Sequence, residues 1–593
     1  MNRPLRNDDP LDKHPTWNQS PNPLSSDGTS RQDLNGIANL RLSRDHLPRD
    51  HTDPAEMSKR DPSIDAIENR LSREVTRESK RQPIGARRLS TLARSEVPSH
   101  KRWLPPSWQA RTFSSWRTIK EFASFLGPGF LVAVAYIDPG NYATDVAAGA
   151  TTEYKLLFVV FMSNVFAIVL QSLSIRLGTV TGKNLAEHCR DHLPKWLNII
   201  IYLLAEAAII ATDLAEVIGS AIALNLLFGL PLVAGCAVTL IDVLLILLFY
   251  NPKGSLSRLR IFELFVGALV IAVVVCFCYQ LALIRGSTAG EVLKGYLPSP
   301  AVVNGQGIYL SCGILGATVM PHSIYLGSGL CQPRLQYYDI VNGAPNTSQT
   351  IIEDEDDKSG YTPSLSAIKH CLRYSTAELI VSLIGFALFV NSAILIVAGH
   401  SLSSIVDAGN ADLFGIYDLL TSTISKGAAV IFAVALFFSG TAAGIVCTIA
   451  GQMVSEGHLR WTVAPWLRRL LTRSISITPS MIIAAAIGKE GLSTALTASQ
   501  VALSIILPFV TAPLIYFTAR NKYMTVRGTS AAGSVLEDRS TTRNEDGNQT
   551  STEQATGTPM RNHRLVTLLA GAIWLVIAIM NVALLVFLGL GDS

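Results

Sequence analysis

The sequence predicts an all-α integral membrane protein of about eleven transmembrane helices, ten of them arranged as two inverted sets of five. Three observations carry that prediction. Mostly apolar runs of about 20 residues, the length that crosses a bilayer, recur eleven times along the chain. The short loops between them alternate between Lys/Arg-rich and Lys/Arg-poor, which fixes an orientation. The first and sixth runs are each broken at their middle by a polar, proline-containing sequence, Asp138-Pro139-Gly140-Asn141 and Met320-Pro321-His322. Proline removes a backbone donor and clashes with the preceding turn, so both helices should unwind there and leave carbonyls without helical partners.

Composition supports a membrane class. Only 16% of the 593 residues are charged, and the mean hydropathy is positive at +0.32. Residues 1–120 differ sharply, being rich in Arg, Asp, Ser and Pro with few aromatics, and read as a disordered cytoplasmic tail without the apolar core of a secretory signal. Arg87-Arg88-Leu89-Ser90 and Arg41-Leu42-Ser43 resemble sites for basophilic kinases. The net charge of +4 is too small and too dispersed for nucleic acid. The eight cysteines lie in apolar segments or cytosolic loops, with no CxxC spacing, so neither a disulfide framework nor a thiolate metal site is expected.

The spans fall near 122–148, 154–176, 197–226, 231–250, 261–284, 308–330, 376–399, 427–453, 470–488, 496–519 and 565–590. Loops after spans 2, 4 and 8 carry Arg176, Lys183, Arg190 and Lys195, then Lys253, Arg258 and Arg260, then Arg460, Arg468, Arg469 and Arg473. Alternate loops hold at most two basic residues. The N-terminus and the long loops 331–375 and 520–564 are therefore cytoplasmic, and the C-terminus is external or lumenal. The sequons at Asn18, Asn346 and Asn548 then escape glycosylation. The acidic run 353–357 reads as a solvated loop. Spans 1 and 6 each open a set of five, and because five is odd the sets have opposite topology. Interrupted helices at matching positions of inverted halves point to a transporter's midplane site. The resulting division is a tail over 1–120, a ten-helix core over 121–519 (spans 1–5 about 122–284, spans 6–10 about 308–519), a loop over 520–564, and an eleventh helix with a short C-terminus over 565–593.

The breaks carry suitable chemistry. A carboxylate within the hydrocarbon, as at Asp138, needs a compensating partner such as a bound cation, and Asn141 offers a second oxygen on the same side of the break. A backbone unwound from Ala135 to Gly140 frees carbonyls such as that of Ala135. Met320 adds a thioether, which Mn2+, Fe2+ and softer first-row ions accept and Mg2+ or Ca2+ gain little from. In span 3, Glu206, Asp213 and Glu216 are offset by seven and three residues and share one helical face, where buried carboxylates can exchange protons. A structural salt-bridge network is the competing reading. Arg468 and Arg469, at the cytoplasmic start of span 9, are available to pair with them. His322 is open to three roles: proton acceptor, gate group or filler of the break.

These motifs resemble the Nramp family, the natural-resistance-associated macrophage protein group of proton-coupled divalent-metal transporters, its fungal manganese and iron carriers among them. Asp138 through Asn141 matches the family's first-helix motif and Ala317 through His322 its sixth-helix motif. The similarity continues through Gly451-Gln452-Met453-Val454-Ser455-Glu456-Gly457, Leu471-Thr472-Arg473-Ser474 and Ser499-Gln500-Val501, over roughly residues 120–590. The resemblance implies a LeuT-like fold and a metal held by Asp138, Asn141 and Met320 with the carbonyls of Ala135 and Ala317, Gln500 joining in one conformational state. It implies a proton path from Asp138 past His322 to Asp213 and Glu216 and on toward the arginines. Ser323 departs from the family, where an Asn commonly follows Met-Pro-His.

The leading expectation is a proton-coupled secondary transporter bringing Mn2+, Fe2+ and related divalent ions into the cytosol by alternating access. A sodium-coupled amino-acid carrier or Mg2+ carrier of the same fold, and a non-transporting metal sensor, are the alternatives. No resident cofactor is expected, the partners being divalent metal ions, protons and the lipid bilayer. Neither a nucleotide-binding glycine loop, an HExxH nor a nucleophile elbow supports an enzyme. Plasma membrane and vacuolar or endosomal membranes both suit the sequence.

Overall fold

The break in span 1 is realised as two helices with four residues between them. The computed structural model describes residues 128–239, 256–284, 288–342, 361–402, 412–460, 465–526 and 557–590. In chain order the helices are α1 (Pro128–Val134), α2 (Pro139–Thr152), α3 (Leu157–Thr181), α4 (Leu185–His192), α5 (Lys195–Phe228), α6 (Leu256–Leu283), α7 (Ala289–Lys294), α8 (Gly305–Thr318) and α9 (Pro321–Leu330). They continue with α10 (Gln332–Val341), α11 (Leu365–Ser382), α12 (Phe389–Leu402), α13 (Leu413–Thr423), α14 (Lys426–Leu459), α15 (Pro465–Ala486), α16 (Lys489–Ala519) and α17 (Arg564–Leu590).

Eight helices among the described residues are long and apolar enough to cross a bilayer. The broken α1–α2 and the shorter apolar stretch Leu470–Ala486 in α15 supply two further spans. Span 4 is helical over 232–239, and its remainder lies outside the described residues. The architecture is the LeuT-like five-plus-five inverted repeat, with α1–α2 and α8–α9 as the interrupted first helices of the two halves and α17 as the eleventh span. α17 exposes Leu565, Leu568, Ile579 and Val582, a surface suited to hydrocarbon and costly in water.

Both breaks follow from one chemical cause. Pro139 stands four residues after Ala135 and Pro321 four after Ala317, so neither carbonyl receives its i→i+4 N–H. Before the first break, Ala135, Tyr136 and Ile137 tighten into i→i−3 turns on Val132, Ala133 and Val134 at 3.0–3.1 Å. Asp138 is extended (φ −117°, ψ 165°) and caps α2, its carboxylate accepting from the Asn141 N–H. In the second, Val319 (φ −99°, ψ 69°) and Met320 (φ −69°, ψ 131°) are non-helical, and Pro321 opens α9 at a position where its missing N–H is harmless.

Close helix approach seats the breaks. α5 packs along α14, and α2 along α12. A Cβ on Gly219 of α5 would lie 2.1 Å from Pro139 Cβ, and one on Gly316 of α8 2.0 Å from the Gln500 carbonyl, so both positions require glycine for contact.

Span 7 starts earlier than its apolar run. α11 begins at Leu365, capped by Ser364, and Asp339 anchors the turn by accepting from Tyr361 Oη at 2.8 Å and from Ser364 N at 3.0 Å. Lys369, His370 and Arg373 mask this first part from a hydropathy criterion. Leu383–Leu388 then widens into a π-helical turn, a feature common near functional sites. The two ends of the 520–564 loop pair as a minimal antiparallel ribbon, β1 (Thr525–Val526) on β2 (Thr558–Pro559), which the all-α expectation did not include.

Candidate functional site

The two breaks meet through Asn141. Its Nδ2 donates to Asp138 Oδ1 at 2.7 Å and to the Ala317 carbonyl at 2.9 Å, so one amide bridges the α1–α2 and α8–α9 interruptions. Asp138, Asn141, Ala317, Met320 and Gln500 are all inaccessible to solvent, and Ala135 is 2% exposed. Gln500 of α16 presses on the first break: a Cβ on Gly140 would fall 2.3 Å from its Cδ. Its Nε2 donates to Ser499 Oγ at 3.0 Å. Asp138 Oδ2 and Gln500 Oε1 are buried with no hydrogen-bond partner among the described residues. A buried carboxylate compensated by amide donors is costly, and an unfilled carboxylate oxygen and amide oxygen, beside carbonyls that Pro139 and Pro321 deprive of their helical donors, are the kind of group a desolvated cation takes.

Met320, the residue before Pro321 in the second break, packs with Ala208 of α5 and Leu503 of α16 in a small buried cluster. Ser323, the departure from the family pattern, has a structural job. Its hydroxyl donates to the Met320 carbonyl at 2.8 Å, accepts from Gln171 Nε2 of α3 at 2.8 Å, and meets Tyr136 Oη at 3.3 Å. It thereby ties the second break to the first through Tyr136.

The span-3 acids separate into two settings. Asp213 and Glu216 are buried and share the guanidinium of Arg473 from α15: Nη1 pairs with Asp213 Oδ1 and, at 3.3 Å, with Glu216 Oε2. Cys447 Sγ lies within 4.8 Å of both carboxylates, but Arg473 already supplies the positive charge that a metal would bring there. Glu206 is half-buried seven residues earlier, about 10 Å along the helix axis. The side chains of Arg468 and Arg469 lie outside the described residues, and the arginine seen on these acids is Arg473.

His322 reaches the same helix. Its Nδ1 is 3.3 Å from Thr212 Oγ1, next to Asp213, while Thr212 donates to the Ala208 carbonyl at 3.0 Å. With that single hydroxyl proton committed, Nδ1 is the donor and Nε2 keeps a lone pair.

Other contributors escape a sequence reading. Asn391 of α12 donates to the Tyr136 carbonyl at 3.1 Å and to Asn141 Oδ1 at 3.2 Å, while Thr318 Oγ1 lies 3.4 Å from the same Asn141 oxygen. Ser439 of α14 donates to the Ile137 carbonyl at 2.7 Å. The only signal for Asn391 is an amide inside the apolar run Phe389–Leu402; Arg473 was visible in the Leu471–Ser474 motif, without a role.

Comparison with known proteins gives a consistent result. The profile described as natural resistance-associated macrophage protein-like matches residues 129–536. Manganese transporter pdt1 of Schizosaccharomyces pombe is 49% identical over 492 residues, covering 82% of this chain and 88% of its own. The iron transporter SMF3 of Saccharomyces cerevisiae is 48% identical, covering 80% of this chain and 98% of its own. A crystal structure of the Eremococcus coleocola manganese transporter, in complex with an aromatic bis-isothiourea substituted compound, aligns at 30% identity with a TM-score of 0.60, over 81% of this chain and 88% of that one.

Proposed function

Because the chain belongs to the natural resistance-associated macrophage protein-like (Nramp) family, we propose that it is a multi-pass secondary transporter that carries Mn2+, Fe2+ and related divalent ions into the cytosol together with protons. The observation that carries the reading is the pair of buried oxygens at the joint of the breaks, Asp138 Oδ2 and Gln500 Oε1, that have no hydrogen-bond partner among the described residues. Asp138 supplies charge, and the carbonyls of Ala135 and Ala317, deprived of helical donors by Pro139 and Pro321, supply neutral oxygens. The ion takes the place of the Asn141 amide group that now bridges Asp138 and Ala317. A half-turn of that amide presents Oδ1 to the ion. Met320 tilts selection toward transition metals and away from Mg2+ and Ca2+.

The same Asp138 that charges the site would repel the carboxylate of an amino-acid substrate. Loading of the cation releases the Asp138 proton, and His322, hydrogen-bonded to Thr212, leads from the second break to Asp213, Glu216 and Arg473, with Glu206 further along the same face. Alternating access proceeds by movement of the short pieces α1 and α9 about the two breaks. We place the N-terminal tail in the cytosol, with kinases as partners for its Arg/Ser sites, and the core over 121–519 in the plasma membrane or a vacuolar or endosomal membrane.

Uptake into proteoliposomes that enclose a metal-sensitive dye and, separately, a pH-sensitive dye tests the proposal. An inward proton gradient should accelerate Mn2+ uptake, and Asp138→Asn should abolish it while the variant still inserts and elutes as one species. Mn2+ uptake by Asp138→Asn at the wild-type rate would remove the assigned site, and uptake without lumenal acidification would remove the coupling.

A further inference from the structure

Between α3 and α5, outside the membrane spans and away from both breaks, α4 carries two histidines one turn apart. We propose that His188 and His192 form a second transition-metal site, which takes a first-row divalent cation between His188 Nδ1 and a ring nitrogen of His192. The proposal does not depend on the transport reading.

The tautomer of His188 follows from its neighbours. Its Nε2 lies 2.8 Å from Thr181 Oγ1, a hydroxyl that also receives the Lys183 N–H at 3.2 Å and gives its one proton to the Leu177 carbonyl at 2.7 Å. Thr181 is therefore an acceptor toward His188, Nε2 is the donor, and Nδ1 carries a lone pair. That Nδ1 is buried and has no hydrogen-bond partner among the described residues, in a residue 3% exposed. One ring nitrogen held by a second group while the other stays free is the usual arrangement of a metal-ligating histidine.

His192 supplies the second ligand at the right distance. Residues i and i+4 of a helix share a face, and the two ring centroids are 5.5 Å apart at 36°. Two imidazoles on one tetrahedral ion, with nitrogens about 2.0 Å from it, have centroids about 5 Å apart. His192 is exposed and admits the ion from solvent. Asp191 is held by Lys183 at 2.7 Å and by Arg190 at 3.2 Å, so water completes the coordination. Both rings lie against Phe517 at the end of α16, at 5.4 Å and 6.0 Å between centroids, and His192 also meets Tyr523 at 4.8 Å. A bound ion would stiffen the α4 face that meets the end of α16. A two-imidazole site follows the general affinity order, with Zn2+ and Cu2+ held more tightly than Mn2+.

Calorimetric titration of the full chain in detergent, affinity tag removed, with ZnCl2 as probe, decides the matter. Wild type should bind one more Zn2+ than His192→Ala, or bind it at least about tenfold more tightly; His192→Cys should restore the lost equivalent, and MnCl2 should bind more weakly. His192 is exposed, so its replacement should leave elution and helicity unchanged, and His188→Gln supplies an independent second removal. Identical stoichiometry and affinity in wild type, His192→Ala and His188→Gln would overturn the site and leave the rings as packing against Phe517 and Tyr523.

Discussion

Gly219→Ala tests whether the first break depends on its seat in α5 as much as on its own residues. The added methyl would lie 2.1 Å from Pro139 Cβ and 2.4 Å from Pro139 Cγ. Carbon atoms rest about 3.5 Å apart or more, so α5 and the break must separate by about 1.4 Å. Neither side has a flexible group to yield: one is a helix backbone, the other a proline ring whose neighbour is Asp138. Overpacking of this kind costs about 1–3 kcal/mol, which corresponds to roughly 5- to 150-fold in any equilibrium that needs the native break geometry. The control is Gly267→Ala in α6, where an added Cβ meets nothing within 4 Å among the described residues; there alanine gains helix propensity and should be neutral or slightly stabilising. Both variants would be reconstituted at matched density and assayed for initial Mn2+ uptake over a concentration series. Gly219→Ala should lose at least about fivefold in uptake efficiency while Gly267→Ala matches wild type. Equal uptake by the two variants would refute the claim that contact with Pro139 holds the site.

Other perturbations have equally direct readouts. Arg473→Leu leaves Asp213 and Glu216 buried without their cation and should destabilise by about 3–5 kcal/mol, a loss that Asp213→Asn with Glu216→Gln should largely recover; a thermal-unfolding midpoint unmoved by Arg473→Leu would show that the triad is not paired as described. Met320→Ala should let Ca2+ and Mg2+ compete with Mn2+ uptake, and its cavity should cost about 2–5 kcal/mol in stability; unchanged competition would end the filter role. Burial holds His188 at about 3, below the ordinary histidine value of 6.5. The unfolded chain therefore binds the extra proton across that window, and stability should be full above about pH 6.5 and decline as pH falls toward 3. Unfolding midpoints in detergent from pH 7.5 to 5 should show the decline, with a shallower slope in His188→Gln; equal slopes would contradict a buried neutral ring.

Proline chemistry is local, which is why the breaks, and through them the inverted repeat, were legible in the sequence. Pro139 and Pro321 withhold a donor from Ala135 and Ala317 whatever surrounds them. Side-chain partners are set by packing and were less legible. Offsets of seven and three put Glu206 on one face with Asp213 and Glu216, and the structure adds what offsets do not supply, that the Arg473 guanidinium pairs with both Asp213 and Glu216. That Arg473 meets these acids depends on the phase and depth of α15, which residue types alone do not reveal. Arg473 lies about one turn beyond Arg468 and Arg469, deep enough to be 4% exposed. Asn391 shows the limit most clearly. One amide in an apolar helix has no periodicity to reveal its target, and only after α12 is packed on α2 does it meet Tyr136 and Asn141. The two breaks could therefore be read from residue types, whereas the groups that hold Asn141 in place had to await the fold.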